Sequence, residues 1–212
     1  MVVHLSAHAS PSPTPARGLG RIRTPYVLFV IAALVLGSLV WFVALRGSAA
    51  ATQAAACPLP PAAEGAGLED QPAGALDSVE PAALNDTSVR VLNANGQSGQ
   101  AGAVAAQLAE LGFQPAETDA VGNDTIYGQA LECHGQIRYG EAGQENARSL
   151  SLAAPCMQLV ADAREDAGVD LVLGTIFSRL SDTTAAVGAL DELKVGRQPI
   201  SAELEAARAV DC

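Results

Sequence analysis

One uninterrupted uncharged run, Pro25 to Leu45, restricts what this chain can become more than any other feature. As a helix the segment PYVLFVIAALVLGSLVWFVAL is long enough for a bilayer core, which takes about 20 apolar residues. Arg17, Arg21 and Arg23 precede it without any acid, Arg46 follows, and the next charge is Glu64. Basic flanks stay cytoplasmic, so the pattern predicts one transmembrane helix over 25–46, N-terminus inside and everything after Arg46 outside. Tyr26 and Trp41 fall near its ends, where interfacial aromatics gather. A cleaved signal peptide would have an apolar region of roughly 7–15 residues, shorter than this one. Ala54-Ala55-Ala56-Cys57 lacks the leading Leu of a lipoprotein site and lies far past the run. The expectation is an uncleaved, single-pass anchor.

Charge divides along the same line. The first 46 residues carry +4; beyond Arg46 there are eight basic and 23 acidic side chains, leaving −15. So acidic an outer portion repels phosphate backbones and anionic lipid surfaces, which argues against a nucleic-acid partner.

Residues 1–24 are basic and rich in Ser and Pro, the composition of a disordered cytoplasmic tail. Residues 47–86 are dominated by Ala, Pro and Gly, which reads as an extracytoplasmic linker. Residues 87–212 suffice for one ordinary domain. Val89 and Val91 share one face of a strand, with Leu92 on the other. A turn from Asn93 leads to a helix with Val104, Leu108 and Leu111 at helical spacing, ended by Gly112. Phe113 opens a second strand, fading after Thr118, and a polar stretch 122–125 follows. Residues 136–139 form a third strand, 141–153 a second helix, and Met157 with Leu159 a fourth strand. Val169, Leu171 and Leu173 mark a stronger fifth strand. Residues 182–210 read as one or two Ala-rich helices beginning after Asp182 and Ser201. The order β-α-β-β-α-β-β describes an α/β fold, a small two-layer sandwich of a mixed β-sheet with C-terminal helices.

All four cysteines lie beyond the apolar run, and an even number in an oxidising compartment reads as two disulfides. Three pairings exist. Cys133 and Cys156 sit inside the folded part before strand-like runs, whereas Cys57 and Cys212 lie in the linker and at the C-terminus. That placement favours 133–156 and 57–212. Cys133-His134 has no CxxC or HxxxH spacing beside it, so no metal site and no cofactor is expected.

His134 is the only histidine of the outer portion, and a Ser-His-Asp or Cys-His apparatus would have to be built on it. Its place beside a disulfide cysteine favours an ordinary surface residue, and no catalytic residue is assigned. Asp162, Glu165, Asp166 and Asp170 form an acidic cluster that reads first as a solvated face. The one loop with a mechanism is Asn95-Gly96-Gln97-Ser98-Gly99-Gln100-Ala101-Gly102, between strand and helix. Glycines let a ligand approach the backbone, and free N–H groups at a helix start favour an anion. Asn93, Asn95, Gly96, Gly99 and Gly102 are therefore candidate ligand-binding residues, with Arg90 and Arg138 adding charge if they face the same side. The spacing is not that of a dinucleotide loop, although Asp119 falls where a ribose-binding acid would. A plain strand-to-helix turn is the simpler alternative.

The stretch Val89-Arg90-Val91-Leu92-Asn93-Ala94-Asn95-Gly96, with Gly99 and Leu111-Gly112-Phe113, resembles the opening of the LytR C-terminal domain. Ile137-Arg138-Tyr139-Gly140, Gly143-Gln144-Glu145 and Asp170-Leu171-Val172-Leu173-Gly174 resemble its later motifs, so the likeness covers about 87–177. The cysteines and the tail after Phe177 are additions to that pattern, and no LytR–CpsA–Psr catalytic domain precedes it in these residues. The resemblance implies a non-enzymatic, membrane-inserted accessory protein of cell-envelope integrity. Its partner would be a cell-wall polymer, a lipid-linked precursor or a wall-assembly protein. A wall ligase or hydrolase using the acidic cluster, and a purely structural membrane–wall tether, remain alternatives.

Overall fold

The computed structural model describes residues 27–38, 57–60, 66–210 and 212. Of the apolar run, residues 27–38 are helical, with exposed side chains. The remainder of 25–46 and the whole of 1–24 lie outside the described residues, and so do 47–56 and 61–65. Among the described residues no helix is long and apolar enough to cross a membrane.

Among the described residues seven strands make one mixed sheet: β1 (Glu69–Gln71), β2 (Ser88–Asn93), β3 (Gln114–Pro115), β4 (Val121–Asn123), β5 (Gly135–Tyr139), β6 (Gln158–Ala161) and β7 (Val169–Leu173). Their order is β1-β6-β5-β7-β2-β3, with β4 also paired to β2. Pairing is parallel for β2 with β3, β4 and β7 and for β5 with β6, and antiparallel for β5 with β7 and β1 with β6. Helices α1 (Gln100–Leu111), α2 (Gln144–Ala153), α3 (Thr184–Lys194) and α4 (Ser201–Arg208) complete the domain.

Strand alternation sends Val89, Val91, Ile137, Tyr139, Leu159, Val169, Leu171 and Leu173 to one face, where they share a core with Val104 and Leu108 of α1, Leu150 of α2 and Leu190 and Leu193 of α3. Ala207 of α4 joins the same core. Thr183 caps α3, its hydroxyl accepting from the Ala186 N–H at 3.2 Å. Gly112, at φ 118°, ends α1 in the left-handed conformation that glycine adopts without strain. Residues 66–86, linker-like in composition, supply the edge strand β1 and bury Leu68, Leu76 and Leu84.

Two strands run where one was expected after Phe113. β3 and β4 both pair with β2 on one edge, on either side of Asp119, whose φ is 49°. The proline at position 115 has no N–H for a ladder and shortens β3.

The disulfides join Cys57 to Cys133 and Cys156 to Cys212, correcting the expected pairs 133–156 and 57–212. The reason lies in the two sides of the sheet. Cys133 belongs to the cluster of Leu92, Leu131 and Val172 on the face away from the helices, and Cys57 is buried there with it. Tyr127 also donates its hydroxyl to the Pro58 carbonyl at 3.1 Å, holding that segment down. Cys156 borders a hollow with Ala154, Phe177 and Val210 on the helical side, where the C-terminal tail returns.

Candidate functional site

The face opposite the helices carries a charged row. Arg90 of β2, Asp170 of β7 and Arg138 of β5 are register partners across three adjacent strands, followed by Val160 of β6 and Asp70 of β1. Arg90, Arg138 and Asp170 each stand between apolar neighbours that point to the core, so alternation puts them on the open face. Arg90 donates from Nε and Nη2 to the two Asp170 oxygens at 2.9 and 2.7 Å. The side chain of Asp170 is 4% exposed and that of Arg90 39%.

A second guanidinium comes from the β6–β7 connection. Arg164 donates to Asp170 at 3.2 and 2.7 Å and to Asp162 at 2.6–2.9 Å, and its Nη1 reaches the Gly168 carbonyl at 3.2 Å. Burial opposes ionisation of Asp170, but hydrogen bonds and charge from Arg90 and Arg164 outweigh it and hold the carboxyl below its ordinary range. Burial likewise opposes the charge on Arg164, and its two carboxylates more than restore it. The connection crosses the end of β5 directly above Gly140, where an added Cβ would meet the Arg164 carbonyl oxygen at 2.1 Å. That close approach is why the residue after Tyr139 has no side chain.

Arg138 is almost wholly buried, with 4% of its side chain exposed. It donates to Asp124 at 2.6 Å and to the Gln136 side chain at 3.0 Å, and it stacks 5.7 Å from the Tyr127 ring centre. Asp124 in turn accepts from the N–H groups of Ile126 and Tyr127 at 3.1 and 2.6 Å, so its carboxylate also shapes the loop over the sheet. Nη2 of Arg138 is buried without a partner among the described residues.

These side chains floor a groove of about 880 Å³, bordered by residues 116–118 after β3 and 162–168 after β6. Leu68, Leu92 and Ile126 give it apolar patches. Arg90 and Arg138, two residues marked in the sequence, do meet in this groove. Asn93, Asn95, Gly96, Gly99 and Gly102 do not border it; they lie at the C-terminal end of β2 and the start of α1. There Asn95 closes the turn on itself, accepting from the Gln97 N–H at 2.9 Å and donating to the Gly174 carbonyl at 2.9 Å. Asn93 donates to the Gln97 carbonyl at 2.8 Å. Gly96 and Gly99 have φ of 74° and 82°, the left-handed values the turn requires. Asp124 was missed as a partner of the arginines, Arg164 as a third guanidinium, and Asp162 and Asp170, expected on a solvated face, are instead its paired carboxylates. The available signal was a charge in mid-strand flanked by apolar residues, as in Val169-Asp170-Leu171. Among the described residues no group of His, Cys, Asp and Glu is placed to hold a metal ion.

A mixed sheet with helices on one side and a charged groove on the other defines the class of domain. Residues 86–177 match the family described as LytR cell envelope-related transcriptional attenuator, the LytR C-terminal domain, and the chain belongs to that family. It is 40% identical over 178 residues to the cell envelope integrity protein Cei of Mycobacterium tuberculosis, spanning 81% of each chain. The crystal structure of the soluble domain of a conserved hypothetical secreted protein from Mycobacterium marinum superposes with a TM-score of 0.63. That domain is 40% identical, and the alignment covers 69% of this chain and 99% of that one.

Proposed function

We propose that this chain is a membrane-anchored accessory protein of the cell envelope, its folded domain outside the cytoplasm, that acts by binding rather than by catalysis. It inserts through the run 25–46 and engages a wall polymer, a lipid-linked precursor or a wall-assembly protein. The observation that carries the reading is the 40% identity, across 81% of each chain, to a protein named for cell envelope integrity. The domain's disulfides fit an oxidising compartment.

What supports binding over catalysis is the state of the acids. Asp162 and Asp170 are both committed to arginines, and Asp166 accepts from the Gly168 N–H at 2.8 Å. A general acid or base needs a proton site whose affinity sits near the operating pH; for Asp170 the shift runs the other way.

Deleting the gene and restoring it with the full chain tests the reading, scored by envelope permeability to a dye and by a reporter, active only outside the cytoplasm, fused after Cys212. The expected outcome is a leaky deletion strain, rescue by the full chain, and an active reporter. A deletion strain of normal permeability, or a mature chain starting after residue 47, overturns it.

A further inference from the structure

We infer that the groove on the open face is a site for an uncharged, hydroxyl-rich ligand, a neutral saccharide segment. The inference deepens the binding reading and rests on it for the setting in which such a ligand is met. Its first support is charge. Arg90, Arg138 and Arg164 are all engaged by Asp170, Asp124 and Asp162, and Glu117 and Asp166 line the groove as well. A phosphate or carboxylate would have to displace a resident carboxylate inside an acidic lining. A cation fares no better at the floor, because both oxygens of Asp162 and of Asp170 already accept from guanidinium.

The second support is what these groups still offer. A carboxylate oxygen accepting one hydrogen bond keeps a further lone pair, and a guanidinium has five N–H donors in a fixed plane. A hydroxyl both donates and accepts, so it can bridge an arginine and an aspartate that stay paired with each other. Nη2 of Arg138, on a nearly buried side chain that lines the groove, meets no acceptor among the described residues. Leaving such a donor unmet is unfavourable, and a ligand oxygen relieves it. Ile126, half-buried in the groove wall, provides surface for the C–H face of a sugar ring. The forks are held in place before any ligand arrives, which reduces the ordering that binding requires. A groove of about 880 Å³ lies within the range of small-ligand sites, about 300–1,000 Å³.

The test is calorimetric titration of the full chain in detergent micelles with four probes. These are an N-acetylglucosamine tetrasaccharide, the uncharged oligosaccharide fraction of a hydrolysed cognate wall, a galacturonate tetramer and tetralysine. The expected result is saturable binding of at least one neutral probe, at least about tenfold tighter than either charged probe. Two variants locate it. Arg138→Gln removes the unmatched donor and is checked for an unchanged disulfide map and a cooperative melt. Ala163→Trp fills the groove from an exposed position without touching the ion pairs, and should abolish binding while leaving the melt intact. No saturable binding of either neutral probe, tighter binding of a charged one, or full binding by folded Ala163→Trp overturns the inference. Because envelope rescue is scored separately, a chain that restores the permeability barrier yet binds no saccharide sinks the ligand and leaves the envelope reading standing.

Discussion

Asp170 is where the domain concentrates electrostatic free energy. Its carboxylate accepts from guanidinium groups of β2 and of the β6–β7 connection, so one side chain ties together three parts of the chain. Removing one member of a fully buried ion pair costs about 3–5 kcal/mol. Here Arg90 and Arg164 are partly exposed and can turn toward water, so Asp170→Asn should cost about 2 kcal/mol, read as a lower urea midpoint. The pH dependence has a defined sign. The folded-state pKa of Asp170 is depressed, so its contribution is complete above the unfolded value, about 3.9, and is lost as pH falls through the folded value. Wild type should lose stability on titration below about pH 4, and Asp170→Asn should lack that component, giving a shallower acid limb. Gly140 carries the other single-residue prediction. With the Arg164 carbonyl 2.1 Å from its would-be Cβ, Gly140→Ala must lift the connection off β5. The melting temperature should drop and saccharide binding should weaken together. The acid at position 170 was visible in the sequence, but its partners lie 80 and 6 residues away, and no local pattern announces a contact of the first kind.

At the scale of elements, periodicity did most of the work where strands and helices are regular. Val89 and Val91 face the helices while Leu92 joins the opposite cluster, as alternation requires. The helix over Val104 and Leu108 stops at Gly112, as its sequence announces. Irregular elements were not legible. β1 and the split pair β3 and β4 are two or three residues long, too short to establish a period, and exist because longer strands offer them an edge. The groove was half legible: mid-strand Arg90 and Arg138 drew attention, but whether they share a face depends on the register of β2, β7 and β5. Whether the glycine loop shares their side was open in the sequence; β2 carries it past the groove, beyond the C-terminal end of that strand. A cap supplies the element-scale prediction. Thr183→Ala removes the acceptor for the Ala186 N–H and should cost about 1 kcal/mol. Unfolding of α3 should then become easier, seen as faster amide exchange in 184–194 with little change in β7.

For the molecule as a whole, the two bridges close loops of 76 and 56 residues. By chain entropy each is worth about 4 kcal/mol. Peptide mapping without reduction should return 57–133 and 156–212, and Cys57→Ser should expose one thiol, at Cys133, and lower the melting temperature. The pairing was misjudged for an identifiable reason. Residues 47–86 have the composition of a spacer, and nothing in an Ala/Pro-rich stretch reveals that Cys57 is buried against the sheet.

The pairing also suits a chain that oxidises in the order in which it is made. The first cysteine is joined to the second and the third to the fourth, so a growing polypeptide never has to open a bridge in order to make the right one. The strand that completes the sheet behaves in the opposite way. β7 is the last strand synthesised, yet it lies in the middle, and without it the set β1-β6-β5 shares no ladder with β2 and its partners. The first bridge needs only residues up to Cys133, so it can close before β7 is made, on a loop that already contains β1 and β2. A chain stopped after Gly168 should oxidise Cys57 to Cys133 but melt without cooperativity, whereas one extended through Leu173 gains the strand that unites the two halves.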